Sequence, residues 1–340
     1  MSAPTHSVVA LGKATQDLFV TCASVFVPHL GQGGRVLALP LGAKLDLDDV
    51  VLTTGGNAAN AATTFARQGL TSVFLWALGD DEGSRVILSS LEADRVDISH
   101  VLIEPGRVAS LSVILLSPSG ERTILNHRGS RPTDGSQRID LRPIADADWL
   151  YASSLAGDLG LLADALKIAG AAGTRVLLNP AGSELQQRPT LLSLLPRCDL
   201  LAMNADEARL LLGSHEGDAG TLATALAGLG PGALVTDGAQ GAAFSDRAGV
   251  VTVHTDGPVP LVVDTTGTGD AFASGFLSRY AEGASIRECM EFAAANAVNV
   301  LRLLGAKTGI LRAPADATAP PRPGPAAQSA ATAKRSLSPR

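Results

Sequence analysis

The run Asp264-Thr265-Thr266-Gly267-Thr268-Gly269-Asp270 sets two acids around a Gly-Thr-Gly turn, after the apolar segment Val259 to Val263 and before the helix-compatible AFASGFLSRYAEG. Glycines at 267 and 269 let the chain fold so that the amides of Gly267, Thr268 and Gly269 converge on one point. That point also feels the positive end of the helix dipole, which suits a phosphoryl group. Asp270, in the first helical turn, stands beside this anion hole. There it could orient an attacking hydroxyl and accept its proton while a γ-phosphate is transferred, a reaction that needs mainly positioning and charge neutralisation. The plain alternative is a helix start in which Asp270 only complements the dipole. With Asp264 fixed as well, chance occurrence falls to the order of a few in a thousand, so the chemical reading is preferred.

A second constellation is GGNAANAATTFARQG at 55 to 69. Gly55 and Gly56 permit close approach of a ligand to the backbone, and Asn57 and Asn60 offer amides suited to hydroxyls; a cap and a buried polar residue are the alternatives. Asp17 follows the apolar run Val8 to Leu11, where ligands bind in open α/β sheets, although a solvated turn aspartate fits as well. Asn204 and Glu207 follow another apolar run with the spacing of a capping box. Thr236, Gly238 and Gly241 form a glycine-punctuated turn that either lines a nucleotide or begins a hairpin. A GxxxxGK[ST] loop is absent, and no GxGxxG follows the first apolar run, which disfavours a P-loop enzyme and an ordinary dinucleotide-binding fold.

The elements that must position these groups alternate strand-like and helical patterns. Strands are expected at 8–11, 72–78, 149–152, 175–179, 200–203 and 233–236. Helices are expected at 58–67, 84–93, 160–171, 190–195, 205–212, 221–228 and 286–304. This rhythm specifies an α/β fold: a doubly wound, mostly parallel sheet with helices on both faces. Strand patterns at 35–41, 110–116 and 123–126 stand outside the alternation and suggest a small β-sheet lid within 33–49 and 108–131. The body is expected to end near residue 312. Residues 313–340 hold six prolines and few large apolar side chains, a composition expected to be disordered.

The 340 residues carry 27 Lys and Arg against 33 Asp and Glu, a net charge of -6. The tail accounts for +3, so the body stands near -9. A sequence pI of 5.5 and an aromatic content of 4% argue against nucleic acid as a partner. Three dispersed cysteines without a CxxC, no leader pattern and no apolar run of membrane-spanning length suggest a reducing, cytoplasmic setting without membrane contact.

In order and spacing these motifs resemble the ribokinase-like, or PfkB, carbohydrate kinases. The resemblance extends from about Val8 to Leu311 and rests most on DTTGTGDAFASGF at 264 to 276. It implies ATP-dependent phosphorylation of a hydroxyl on a small sugar or sugar derivative, with Mg2+. A nucleoside kinase is the alternative within the family, and a non-catalytic sugar- or nucleotide-binding protein lies further off. On this resemblance Asp270 is the catalytic base, and Gly267 to Gly269 form the anion hole. Asp17, Gly56 and Asn60 hold the acceptor, next to Gly55 and Asn57. Asn204 and Glu207 serve phosphate and Mg2+, the latter through water, while Thr236, Gly238, Gly241 and Asn296 lie on the nucleotide side. Asp264 and Thr266 match a loop that binds a monovalent cation, such as K+, in some members. Asn57-Ala58-Ala59-Asn60 departs from the Lys-Gly-Ala-Asn of ribokinases proper, which argues against ribose itself. The lid would choose the substrate and suggests a homodimer. Its Lys44, Arg107, Arg122, Arg128 and Arg131 are read as solvated surface in preference to a phosphate cradle.

Overall fold

A computed structural model describes residues 6–313, apart from 32–33, 119–120, 130–137, 215 and 254–261. All of the expected tail but Ala313 therefore lies outside the described residues, as do Arg131 and most of the apolar segment before Asp264.

The chain runs β1 (Ser7–Leu11), β2 (Thr15–Thr21), β3 (His29–Gly31), β4 (Gly34–Val36), β5 (Asp49–Gly55), α1 (Asn57–Arg67), β6 (Thr71–Leu75), β7 (Ala77–Gly79) and α2 (Glu82–Ala93). It continues through β8 (Leu102–Glu104), β9 (Ser110–Leu116), β10 (Arg122–His127), β11 (Trp149–Ala152), α3 (Leu159–Ala172), β12 (Arg175–Leu178), α4 (Gly182–Leu185), α5 (Arg188–Leu194) and β13 (Leu200–Asn204). Last come α6 (Ala205–Leu212), α7 (Ala219–Ala227), β14 (Gly232–Thr236), β15 (Ala242–Asp246), β16 (Gly249–Val253), α8 (Thr268–Ala281) and α9 (Ile286–Leu301).

The main sheet has eight strands in the order β16-β15-β14-β13-β12-β11-β1-β6. From β14 to β6 every pairing is parallel, and β15 and β16 add an antiparallel edge. Its strands are nearly continuous apolar runs because both faces are covered. Successive residues face opposite cores. Val9, Leu150, Leu178, Leu201 and Val235 pack with α3, α5, α6 and α7. Their neighbours Val8, Trp149, Leu177, Leu200 and Leu234 pack with Phe272 and Phe276 of α8 and Met290 of α9. After β1 the chain builds β6 on one side and later β11 on the other. The order reverses at β1, and the crevice above β1 and β11 is where this topology places a ligand.

A second sheet, β10-β9-β2-β5, forms the lid. Its strands β9 and β10 fall inside the expected 108–131. The segment 33–49 behaves differently: among its described residues Gly34–Val36 forms a short strand paired with His29–Gly31, and Asp49 opens β5, the main lid strand of that region. Strand β2 was not foreseen, because Asp17 is a poor strand former in isolation and reads as a turn residue. It pairs with β5 on one side and β9 on the other, so tertiary pairing overrides local preference. The described C-terminal segment is held on α1 by Arg67, which forms two hydrogen bonds of 2.8 Å with Asp94 and donates to the carbonyls of Lys307 and Ile310.

Candidate active site

Helix α8 begins beneath the lid, and its capping residue Gly267 has φ 77°. A side chain there would also collide with Ala306, 2.5 Å from its Cβ, so glycine is required twice over. The amide of Ala271 makes the first helical bond, to Gly267 O. Among the described residues the amides of Gly267, Gly269 and Asp270 meet no protein acceptor, as expected of a helix start. Thr268 departs from the expected anion hole: its amide and hydroxyl both turn back to Thr265 O, at 3.4 and 2.9 Å. The donors available at this turn are therefore Gly267, Gly269 and Asp270.

Asp270 is buried, and its two carboxylate oxygens each accept an amide hydrogen bond of 2.8 Å, Oδ1 from Asn57 and Oδ2 from Asn60. These partners lie 213 and 210 residues away in sequence. The glycine pair determines this geometry. Gly56 has φ 98°, and a Cβ on it would lie 2.5 Å from Ala14 Cα and 2.6 Å from Lys13 O, so the first turn of α1 packs directly on the loop after β1. Burial pushes the Asp270 carboxyl up from the ordinary range, and the two asparagines pull it back. The same charge adds to the burial that raises the Tyr151 phenol.

Two cavities meet at Asn57 and Ala181, and this carboxylate lines the smaller of them. One, of about 180 Å³, is lined by Gly267, Gly269, Asp270, Asn204, Glu207 and Thr236 among others. The other, of about 420 Å³, lies between body and lid and is lined by Lys13, Thr15, Ser110, Ser112, Asn126 and Arg128 among others. Asn57 and Ala181 line both. The arrangement gives a smaller cavity under the helix start with the buried carboxylate in its wall, a larger cavity under the lid, and Asn57 shared by both.

The other expected residues are distributed unevenly. Asn204 and Glu207 do form the capping box, Asn204 Oδ1 accepting from Glu207 N at 2.9 Å and Glu207 Oε2 from Asn204 N at 3.0 Å. Both also line the smaller cavity, and Glu207 Oε1 meets no protein donor among the described residues. Burial, with Asp270 nearby, raises the Glu207 carboxyl. Gly238 and Gly241 bracket a short 3-10 turn between β14 and β15 and line neither cavity. Asn296 is fully buried away from both, donating to Ala271 O at 2.8 Å and accepting from Leu311 N at 2.9 Å. Asp17 lies on lid strand β2, on the same face as Thr15 and paired in register with Ser112, both of which line the larger cavity: it accepts from Thr15 at 3.1 Å, abuts Gly55, and burial raises its carboxyl. Asp264 is a loop staple. Its Oδ1 accepts from Thr266 N and Oγ1 at 2.9 and 2.7 Å, and its Oδ2 from Gly305 N at 3.1 Å, with Arg122 at 3.8 Å. A carboxylate so engaged, beside a guanidinium, does not fit a monovalent-cation site. Arg107 and Arg128, read as surface, line cavities beside the site.

Residues not singled out in the sequence also reach the site. Asn179, at the C-terminal end of β12, lines the smaller cavity, accepts from Tyr151 Oη at 3.1 Å and donates to Ala202 O at 2.8 Å. Lys13 and Ser154 lie above β1 and β11, at the reversal of strand order. The available signal was position, a polar residue just past a parallel strand.

A doubly wound α/β body with a lid over a buried carboxylate at a helix start is the architecture of a small-molecule kinase. The family model for pfkB family carbohydrate kinases matches residues 36–312, and the chain belongs to that family. It is 29% identical to the ATP-dependent ribose-1-phosphate kinase of Halopiger xanaduensis, over 70% of this chain and 77% of that protein. It is 28% identical to the bifunctional ribokinase/ribose-5-phosphate isomerase A of Fructilactobacillus sanfranciscensis, over 75% of this chain but 47% of that longer protein. The fold is similar to that of Arabidopsis thaliana ribokinase complexed with ribose and ATP, with a TM-score of 0.73 and 24% identity, covering 91% of this chain and 96% of that one.

Proposed function

We propose that the chain transfers the γ-phosphoryl group of ATP to a hydroxyl of a small sugar-like acceptor held under the lid. The observation that carries this reading is the buried Asp270 carboxylate, which lines the smaller cavity and is clamped by Asn60 and by Asn57, a residue that lines both cavities. Asp270 orients the acceptor hydroxyl and takes its proton, and the Gly267, Gly269 and Asp270 amides receive the oxygens of the transferring group. Asn57 and Asn60 serve as positioning residues for that carboxylate. Asn204, Glu207 and Thr236 line the nucleotide side. Glu207, with one carboxylate oxygen open to the cavity, fits a Mg2+ held chiefly by phosphates and water. Among the described residues no cluster of three His, Cys, Asp or Glu offers an all-protein cage. Mg2+ bound with ATP would supply charge neutralisation on the phosphates. No step requires a monovalent cation.

A sugar is favoured over a nucleoside because, among the described residues, the larger cavity is lined mainly by hydroxyl, amide and basic side chains and by no Phe, Tyr or Trp. We assign the chain to the cytoplasm: its three cysteines are free and buried, in keeping with a reducing compartment, and no described helix is long and apolar enough to cross a membrane. The lid exposes Val50, Leu52, Ile124 and Leu125, an apolar set that supports a homodimer through this sheet. Acceptor-dependent release of ADP from MgATP, tested on a panel of sugars, sugar phosphates, sugar acids and nucleosides, is the direct test. Release on at least one sugar-like acceptor is expected, and no stimulation by any compound would refute the reading.

A further inference from the structure

Glu184, on the short helix α4, is a buried acid outside the catalytic set. It is 1% exposed, and among the described residues no cation pairs with it. Hydrogen-bond donors meet its charge instead. Its Oε1 accepts from the amides of Leu155 at 3.0 Å and Gly157 at 2.6 Å, its Oε2 accepts from the amide of Ala181 at 3.0 Å, and the Ser183 hydroxyl lies 3.3 Å from both oxygens. One carboxylate thus ties the loop after β11 to the loop after β12, at the ends of two neighbouring parallel strands. An amide of the same shape would turn an N–H donor toward one of those loops.

The tie holds a strained conformation. Ala156, between the two amides gathered by Oε1, has φ 60°, in the left-handed region disfavoured for a residue with a Cβ. On the far side Gln187 Nε2 donates to Gly157 O at 2.6 Å. Strain of this kind persists where the surroundings over-determine it, and it gathers at ligand sites. Here it falls beside the cavities. Ser154 lines the larger one, Ala156 lines a neighbouring cavity of about 90 Å³, and Ala181 and Ser183 line the larger one from the other loop. Glu184 itself lines none of them. The Ser154 carbonyl accepts from Lys13 N at 3.2 Å, which anchors its backbone, while its hydroxyl meets no protein partner among the described residues. A hydroxyl so placed can donate to, or accept from, a ligand hydroxyl.

We propose that Glu184 is a positioning residue for the acceptor: by fixing the strained loop from Ser154 to Gly157 it aims the Ser154 hydroxyl at an acceptor hydroxyl other than the one that reaches Asp270, and so sets which sugar-like acceptors are taken. This assignment rests on the kinase reading above and accounts for part of its specificity. The test uses the full-length chain at saturating MgATP, its best acceptor as the parent, and the monodeoxy analogues of that parent. In wild type at least one analogue that keeps the phosphorylated hydroxyl is expected to lose about fivefold to tenfold in kcat/KM, the worth of one hydrogen bond between neutral groups. In Ser154→Ala and in Glu184→Gln the same analogue should come within about twofold of the parent, with the parent's own loss carried by KM. The double variant should lose no more than about twofold beyond the larger single loss, because both changes remove one contact. A role in folding alone would lower parent and analogue alike and leave their ratio unmoved. Gln187→Ala loosens the same loop from its exposed side and replaces Glu184→Gln if that variant does not fold. No discriminated analogue in wild type, or discrimination that survives either Ser154→Ala or the loop variant, would overturn the proposal. Calorimetric titration of the same compounds, with the tightest-binding sugar as parent where none is turned over, separates the two readings. Discrimination in binding that Ser154→Ala abolishes, without turnover, would contradict the kinase reading alone, and absence of such discrimination would overturn this one.

Discussion

Replacing Asn60 by Leu keeps the volume of a buried side chain but removes the donor 2.8 Å from Asp270 Oδ2. Among the described residues the Asn60 amide oxygen has no partner, so this substitution leaves no other described group unpaired. Hydrogen bonds to charged groups contribute about 1.5–3 kcal/mol, and here the loss falls on the ionised form of a buried carboxylate. Burial already raises the Asp270 carboxyl, and losing one donor raises it further. The ionised form is the one that accepts a proton, so the acidic limb of the kcat/KM profile must move to higher pH. On that limb the expected loss is about 10- to 100-fold, narrowing as pH rises above the limb. The assay is kcat/KM for an accepted sugar from pH 5 to 9, at saturating MgATP, with thermal unfolding as the folding control. A loss of equal size at all pH values, carried by KM for the acceptor, would show that Asn60 binds substrate and does not tune the base. An unchanged profile would refute the clamp altogether.

Gly56→Ala is expected to cost at least about 3 kcal/mol, because φ 98° and a contact of 2.5 Å with backbone atoms of Ala14 leave nothing flexible to yield; chemical denaturation reads this, and a loss under 1 kcal/mol would contradict it. Glu207→Gln should raise the Mg2+ concentration needed for half-maximal rate by about tenfold, measured by Mg2+ titration at fixed ATP, whereas an unchanged titration would assign Glu207 to capping alone. Lys307, buried with its Nζ donating to Ser90 Oγ at 2.9 Å, has its ammonium pushed down to about 8 by desolvation. Its folded value lies below its unfolded one, so the stability it contributes is present above the unfolded value and is lost as pH falls through about 8. Lys307→Met should therefore raise the unfolding free energy, read by chemical denaturation, more at pH 6 than at pH 10, by at most about 3 kcal/mol, and an equal or reversed effect would contradict the assignment.

Features set by local backbone were readable from the sequence. Gly267 and Gly56 occupy positions where positive φ and close approach exclude a side chain, and the apolar runs of β11 to β14 lie within a residue of their expected limits. What was not readable depends on contacts distant in sequence. Asn57 and Asn60 looked like ligand-binding amides because nothing local shows that they reach Asp270. Asp17 looked like a loop acid because its strand exists only by pairing with β5 and β9. Thr268 was counted among the anion-hole donors, whereas the helical turn sends its amide back to Thr265. The basic residues of the lid were read as surface because their packing against the body places Arg107 and Arg128 along the cleft only in three dimensions.

The central claim is that Asp270, beside the Asn57 that both cavities share, is the proton acceptor. Single-turnover phosphoryl transfer by Asp270→Asn, measured beside the Kd for MgATP, tests it most directly. The transfer rate is expected to fall by about 10²- to 10⁴-fold with the Kd changed less than about threefold. Transfer within tenfold of wild type on every accepted acceptor would contradict the account.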